Sequence, residues 1–194
     1  MVGTAENLGY LNVEALDIRA NMFWDTPIGM VSFTPNISIF TKYEFPRGTI
    51  ANASAMCPAS GDPLVISDDV CDGVGRDIDF AETAVQSIPR WSGTFQGGLR
   101  FGVHNIRLTA RYTDGINQAF GDLTEEQKAN FNHEDGLWTV DANYSWQISA
   151  ASGINVSVRN LFAEDPPITT GGNGAFFNRN RRTYSLQFTH SFAD

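Results

Sequence analysis

Cys57 and Cys71 are the chain's only thiols, and both fall in one acidic, Gly-containing stretch. Paired, they would close a loop of about fifteen residues and stabilise it by roughly 3 kcal/mol in the chain-entropy account. An even count and a shared loop favour this bridge over two free thiols, as an oxidising compartment would. The same stretch holds Asp68, Asp69, Asp72, Asp77 and Asp79 beside Gly73 and Gly75. Oxygen-rich loops suit calcium, but this spacing does not match an EF-hand, so no metal is expected. His104, His133 and His190 stand far apart in sequence, without zinc-ligand spacing. No nucleophile with a base, no phosphate loop and no catalytic carboxylate pair stands out, so neither an enzyme nor a cofactor is expected. That leaves Arg100, Arg107, Arg111 and Arg159, which share one face of the strands they occupy. There they would line a path for an anionic substrate or brace an acidic neighbour through ion pairs. The second use is the commoner for such charges.

The elements that carry these residues read as strands. The 194 residues include 14 Phe, 4 Trp and 18 Gly, a mix that suits strands and turns. Net charge is −9, which argues against nucleic acid as a partner. No run of eighteen apolar residues occurs, so no transmembrane helix is expected; a membrane β-strand escapes that test because every second residue is polar. Met1 is not followed by a basic segment and an apolar run, so no signal peptide is read. The start is then internal to a longer chain, or the chain is not exported.

Seven amphipathic strands follow from period-2 alternation. The first spans about Leu11 to Trp24, with Leu16, Ile18, Ala20, Met22 and Trp24 opposite Asp17, Arg19 and Asn21. The second spans about Met30 to Phe45 and puts Val31, Phe33, Ile37, Ile39 and Tyr43 on one face. Pro35 in its middle counts against full pairing. The third (Pro89 to Phe101) sets Trp91, Phe95, Leu99 and Phe101 against Ser92, Thr94, Gln96 and Arg100. The fourth (Asn105 to Thr113) sets Ile106, Leu108, Ala110 and Tyr112 against Arg107, Thr109 and Arg111. The fifth (Leu137 to Ile148) gathers Trp138, Val140, Ala142, Tyr144, Trp146 and Ile148. The sixth (Gly153 to Phe162) opposes Ile154, Val156 and Val158 to Asn155, Ser157 and Arg159. The last, Arg181 to Phe192, puts Tyr184, Leu186, Phe188 and Phe192 on one side and Ser185, Gln187, Thr189 and Ser191 on the other.

The polar face is mostly Ser, Thr, Asn and Gln, with isolated Arg, as in a barrel lumen rather than a surface in bulk water. Trp24, Trp91, Tyr112, Trp138, Tyr144 and Tyr184 lie near strand ends, where interfacial girdles form. Connections alternate short and long. Outer-membrane barrels show that asymmetry, with tight turns on the periplasmic side and long loops outside. Within the second long loop, Asp122 to Gln127 reads as a short helix start. The four Asn-x-Ser sequons, at Asn36, Asn52, Asn143 and Asn155, read as chance.

Ser157-Val158-Arg159-Asn160-Leu161-Phe162-Ala163-Glu164-Asp165-Pro166-Pro167, a Gly-rich loop, and then Arg181-Arg182-Thr183-Tyr184 with its aromatic strand resemble the C-terminal end of TonB-dependent outer-membrane receptors. Arg181-Arg182 stands where Gly-Arg is usual. Ile88-Pro89-Arg90-Trp91 after a Cys-containing loop is also similar to members of that family. The resemblance implies a transporter barrel of twenty-two strands around an N-terminal plug, importing scarce nutrients with energy from the inner membrane. Residues 1–194 would be the C-terminal portion of that barrel, an antiparallel transmembrane sector of about seven strands, with the plug absent. The four arginines would then brace an acidic plug or line the substrate path. Tyr184, Leu186, Phe188 and Phe192 would serve as the signal read by the barrel assembly machinery, although Ala193 and Asp194 follow the final aromatic. Implied partners are outer-membrane lipid, the assembly machinery, an inner-membrane energy-coupling complex reached through the missing N-terminal region, and an extracellular small-molecule ligand such as an iron–siderophore, vitamin or oligosaccharide. The implied location is the outer membrane of a Gram-negative bacterium. Two alternatives remain: a complete eight-stranded outer-membrane barrel with a structural or adhesive role, and a soluble lipid-binding barrel with its oily face inward.

Overall fold

Alternating residues can bury or expose only one side of a strand at a time, and here they assemble into antiparallel sheet. The computed structural model describes residues 10–46, 65–67, 70–77, 87–118, 133–167 and 181–192. Its main elements are β1 (Asn12–Arg19), β2 (Met22–Thr26), β3 (Gly29–Pro46), β4 (Val65–Ser67), β5 (Val70–Asp72), β6 (Arg76–Asp77) and β7 (Trp91–Phe101). They continue with β8 (His104–Thr113), β9 (Ile116–Gln118), β10 (His133–Glu134), β11 (Leu137–Gln147), β12 (Ser152–Arg159) and β13 (Thr183–His190). The large sheet runs β13-β12-β11-β8-β7-β3, with β1 and β2 on the far side of β3. Each long strand therefore lies beside its neighbours in sequence, a meander. Among the described residues its lateral edges, β13 and β1–β2, do not pair with each other, so the sheet is open.

The seven expected strands are present, with the first one divided. Arg19 pairs with Asn36 and Met22 with Phe33, so the register runs unbroken from β1 to β2. Only the ladder opposite Pro35 is missing. Proline has no N–H to donate, so Ala20 N–H reaches the Pro35 carbonyl at 3.2 Å and nothing returns. On its other side Pro35 still faces Phe95 of β7.

Two tight turns depend on glycine. Gly29, between β2 and β3, has φ of +144°, and a Cβ there would run into the Arg100 carbonyl. Gly102, between β7 and β8, has φ of +53°.

The second strand departs from simple alternation. Glu14 pairs with Lys42 but Ala15 with Phe40, so Phe40 and Thr41 together oppose one residue of β1. This β-bulge shifts the parity of β3 by one residue beyond it. Tyr43 is therefore not on the face of Ile37 and Ile39, as the sequence pattern suggested. It turns to the polar face with Phe45, and Glu14, Lys42 and Glu44 take the apolar side instead.

That inversion builds the core. Tyr43, Phe45, Cys71, Val74, Ile116 and Leu137 are the buried apolar residues among those described. Tyr43, Phe45 and Leu137 lie on the polar face of the large sheet, with Cys71 paired to Phe45, while Ile116 belongs to a small separate sheet. Segments between the expected strands supply half of them: Cys71, Val74 and Ile116. β5 adds to β3 through Glu44, Phe45 and Pro46, and β10-β9-β6 form a separate three-stranded sheet. Among the described residues the rest of the large sheet has no second layer.

Candidate functional site

Cross-strand register fixes which side chains share a face. On one face Trp138 lies opposite Tyr112, Val140 opposite Ala110, Ala142 opposite Leu108 and Val158, and Tyr144 opposite Ile106 and Val156. Val158, Val156 and Ile154 then meet Tyr184, Leu186 and Phe188. Leu186 is 75% exposed and Phe192 is 86% exposed, while only six apolar residues among those described are buried. Soluble monomers rarely expose a continuous apolar face of this size.

Aromatics edge this face at both ends. Near the long loops, the rings of Trp91 and Tyr112 are 4.2 Å apart, Tyr112 and Trp138 4.7 Å, and Phe95 and Trp138 5.8 Å. Near the short turns, His104 stacks on Phe101 at 5.0 Å, Tyr144 at 5.9 Å and Trp146 at 6.1 Å. His190 there touches Phe188 and Phe192, at 6.5 and 4.6 Å. Trp24 occupies the same end on β2. Between the rows lie Leu99, Ile106, Leu108, Ala110, Val140, Ala142 and Val156. Trp138 and Trp146 stand eight residues apart on β11. At ~3.3 Å per residue and a tilt of ~40° that is about 20 Å of height, close to the apolar band of a membrane barrel. Of the residues expected in girdles, Tyr184 instead faces Val158 within the apolar field.

Beyond the long-loop row the same side turns polar because of the bulge. Lys42 Nζ lies 2.7 Å from Glu14, and Asn12 donates to Glu44 at 3.0 Å. The Glu14 hydrogen bond holds the Lys42 ammonium above its ordinary pKa.

The opposite face is hydroxyl and amide. Asn143 Nδ2 donates to Asn155 Oδ1 at 2.8 Å, Asn155 Nδ2 to Ser145 Oγ at 3.2 Å, and Ser145 Oγ to Asn143 Oδ1 at 3.3 Å. Two hollows open on this face. One, of about 530 Å³, includes Arg100, Asn105, Ser145, Asn155 and Gln187. The other, of about 470 Å³, includes Arg107, Asp141, Asn143, Ser157 and Arg159. Both hollows draw most of their lining from the polar face.

The four arginines share this face but do not converge. Arg100 lies opposite Asn105 near the short turns, and Arg107 opposite Gly98 and Asn143. Arg111 lies opposite Thr94 and Thr139, and Arg159 opposite Thr183. Arg111 donates to Asp141 at 2.5 Å, the one salt bridge these four make among the described residues.

Asp141 also accepts the Asn160 N–H at 2.9 Å, which ties the arginine pair to the turn after β12. That turn begins inside the motif that carries the family resemblance. Asn160 is 3% exposed, with φ of +50°. Its Nδ2 donates to the Glu164 carbonyl at 2.8 Å, and its Oδ1 accepts the Glu164 N–H at 3.0 Å. Asparagine tolerates this left-handed backbone and clips the turn shut. The expected sixth strand to Phe162 therefore ends at Arg159. Nothing in the local sequence pattern assigns Asn160 this role.

The three histidines lie apart, each bonded through Nδ1: His104 to Tyr144 Oη at 2.7 Å, His133 to Asn117 Oδ1 at 2.9 Å, His190 to Ser152 Oγ at 2.8 Å. Only strand register brings Ser152 to His190. Among the described residues no cluster of His, Cys, Asp and Glu could hold a metal ion. Asp72 accepts the N–H groups of Tyr43 and Val74, at 3.2 and 3.1 Å. Asp68, Asp69 and Asp79, the helix start at Asp122 to Gln127, and the sequon at Asn52 lie outside the described residues. So does Cys57. Its expected partner Cys71 is buried, and no described cysteine is free.

No protein-family model matches the chain. No curated protein matches it either. Among solved structures it is similar to the closed form of the ferric-catecholate import receptor Fiu from K12 E. coli, at 15% identity and a TM-score of 0.47. That likeness takes in 94% of this chain and 21% of the receptor, so the chain spans about a fifth of that protein's length.

Proposed function

We propose that residues 1–194 form a sector of an outer-membrane active transporter of the TonB-dependent receptor kind. One observation carries this reading: a meander whose described residues leave an apolar face exposed, edged by two aromatic rows, with polar hollows on the other side. Water cannot accommodate such a face, and lipid can. Lipid in turn cannot leave backbone groups unpaired, so the edges at β13 and β1–β2 require further strands to complete a closed barrel. In the family's barrel these would be the remainder of twenty-two, enclosing a plug.

In this reading the short turns face the periplasm and the long-loop end faces outward. Loops at that end contribute to capturing a scarce nutrient, such as an iron–siderophore, vitamin or oligosaccharide. Import draws energy from an inner-membrane complex that the plug-side region contacts. Arg100, Arg107 and Arg159 face the interior, where they brace an acidic plug surface, while Arg111 is already held by Asp141. Tyr184, Leu186, Phe188 and Phe192 present the aromatic edge that the barrel assembly machinery reads. A Cys57–Cys71 bridge fastens the first long loop to β5, in keeping with Cys71's buried place beside Phe45. The protein is a carrier rather than an enzyme.

Spin labels at Val140, Val158 and Leu186 of the full-length protein in outer-membrane vesicles test the assignment. Collisions with oxygen should dominate there, and collisions with a water-soluble nickel reagent should dominate at Asp141, Ser157 and Gln187. The reverse pattern, or nickel access at both sets, would refute it.

A further inference from the structure

We infer that the short-turn rim of the outer face binds phospholipid phosphate groups through His104 and His190. The inference rests on the membrane reading above and adds a ligand chemistry to it. The two imidazoles come from strands far apart in sequence, yet they repeat one arrangement. Both project from the apolar face, at the short-turn end, within the aromatic row. Each ring is flanked by aromatics: Phe101, Tyr144 and Trp146 around His104, Phe188 and Phe192 around His190. Each commits Nδ1 to a hydroxyl of a neighbouring strand, Tyr144 Oη at 2.7 Å or Ser152 Oγ at 2.8 Å.

In the tautomer whose Nδ1 accepts the hydroxyl proton, the ring's own proton sits on Nε2, and the inference assigns that tautomer to both rings. Among the described residues neither Nε2 has a hydrogen-bond partner, and no carboxylate pairs with either ring. The result is an N–H donor held at the depth where acyl chains give way to headgroups. Lysine and arginine usually supply that function at a membrane rim. Here the described outer-face residues of the short-turn end include neither. The two histidines are three strands apart, about 14 Å at ~4.8 Å per strand, so each takes its own lipid. The other rim differs, since Glu14, Lys42 and Glu44 already pair among themselves or with Asn12.

The third histidine, His133, supplies an internal control, because it sits in the small sheet at the long-loop end. The experiment is nitrogen–phosphorus dipolar dephasing on the full-length protein labelled with ¹⁵N-histidine. The vesicles are phosphatidylethanolamine with phosphatidylglycerol, in phosphate-free buffer. Signal loss is expected at Nε2 of His104 and His190 and not at His133. H104F and H190F keep the ring and should each remove one dephased signal. A second sample, in maltoside micelles with inorganic phosphate, separates the two phosphate sources; no dephasing is expected there. Full signal from both Nε2 atoms in phospholipid vesicles would overturn the inference, as would dephasing confined to the inorganic-phosphate sample. Quenching of Trp24 and Trp146 by brominated lipid in the same vesicles keeps the two readings distinct. Quenched tryptophans with undephased histidines would sink the phosphate site alone, and unquenched tryptophans would sink the membrane face beneath it.

Discussion

Replacing Asn160 offers a graded test of how the turn after β12 is held. Asn160→Ala removes two side-chain hydrogen bonds, those to the Glu164 carbonyl and from the Glu164 N–H. Each is worth about 1 kcal/mol net. Alanine must also adopt φ of +50°, a left-handed backbone that costs it at least ~1 kcal/mol. The sum is about 3 kcal/mol, or roughly a hundredfold in the folding equilibrium. Asn160→Gly loses the same bonds but accepts the backbone, so it should cost about 2 kcal/mol. Asn160→Asp keeps the acceptor but faces the Glu164 carbonyl with a carboxylate, and brings that charge near Asp141. It should be at least as damaging as alanine. Urea titration of the full-length protein refolded into vesicles, followed by tryptophan fluorescence, gives the ranking. A glycine variant less stable than the alanine one would refute the backbone argument. An alanine variant within ~0.5 kcal/mol of wild type would refute the clip altogether.

Four other outcomes are expected. Val156→Arg places a charge in the apolar field and should cost about 2–4 kcal/mol in vesicles, while Ser157→Arg, one residue on, should cost far less; equal urea midpoints for the two would contradict the face assignment. In a double-mutant cycle, Arg111→Ala and Asp141→Ala should couple by no more than about 1 kcal/mol, because both side chains are partly exposed. Asp141→Ala alone should be the worse single change, as it also strands the Asn160 N–H. Gly29→Ala should lower the folded yield, with about 1–3 kcal/mol of strain at the β2–β3 turn, read by resistance to protease after refolding. Deleting Thr41 removes the bulge and should send Tyr43 and Phe45 to the outer face; retention of native stability by that variant would show that the bulge does not set the core.

Much of the sheet was legible from residue order alone. Alternation in the stretches that became β7, β8, β11, β12 and β13 named the right residues for each face, because period-2 geometry leaves a strand no other choice. Short turns with Gly29 and Gly102 announced neighbouring antiparallel pairs. The shared face of Arg100, Arg107, Arg111 and Arg159 was legible for the same reason. Pro35 correctly warned of incomplete pairing, but only the structure shows that the gap falls on its β1–β2 side while β7 still pairs. Tyr43 was misassigned because a bulge leaves no mark in local alternation; it exists through the mismatch between two strands.

Sequence by itself determined that these strands have one oily and one hydroxyl-rich side, since that property belongs to each strand separately. Tertiary structure decided everything that depends on two strands meeting. It turned Tyr43 and Phe45 to the polar side, joined Arg111 to Asp141, and gave His104 and His190 their hydroxyl partners. The physical reason is that pairing register and a one-residue bulge are relations between distant segments, fixed only when backbone hydrogen bonds close across the sheet.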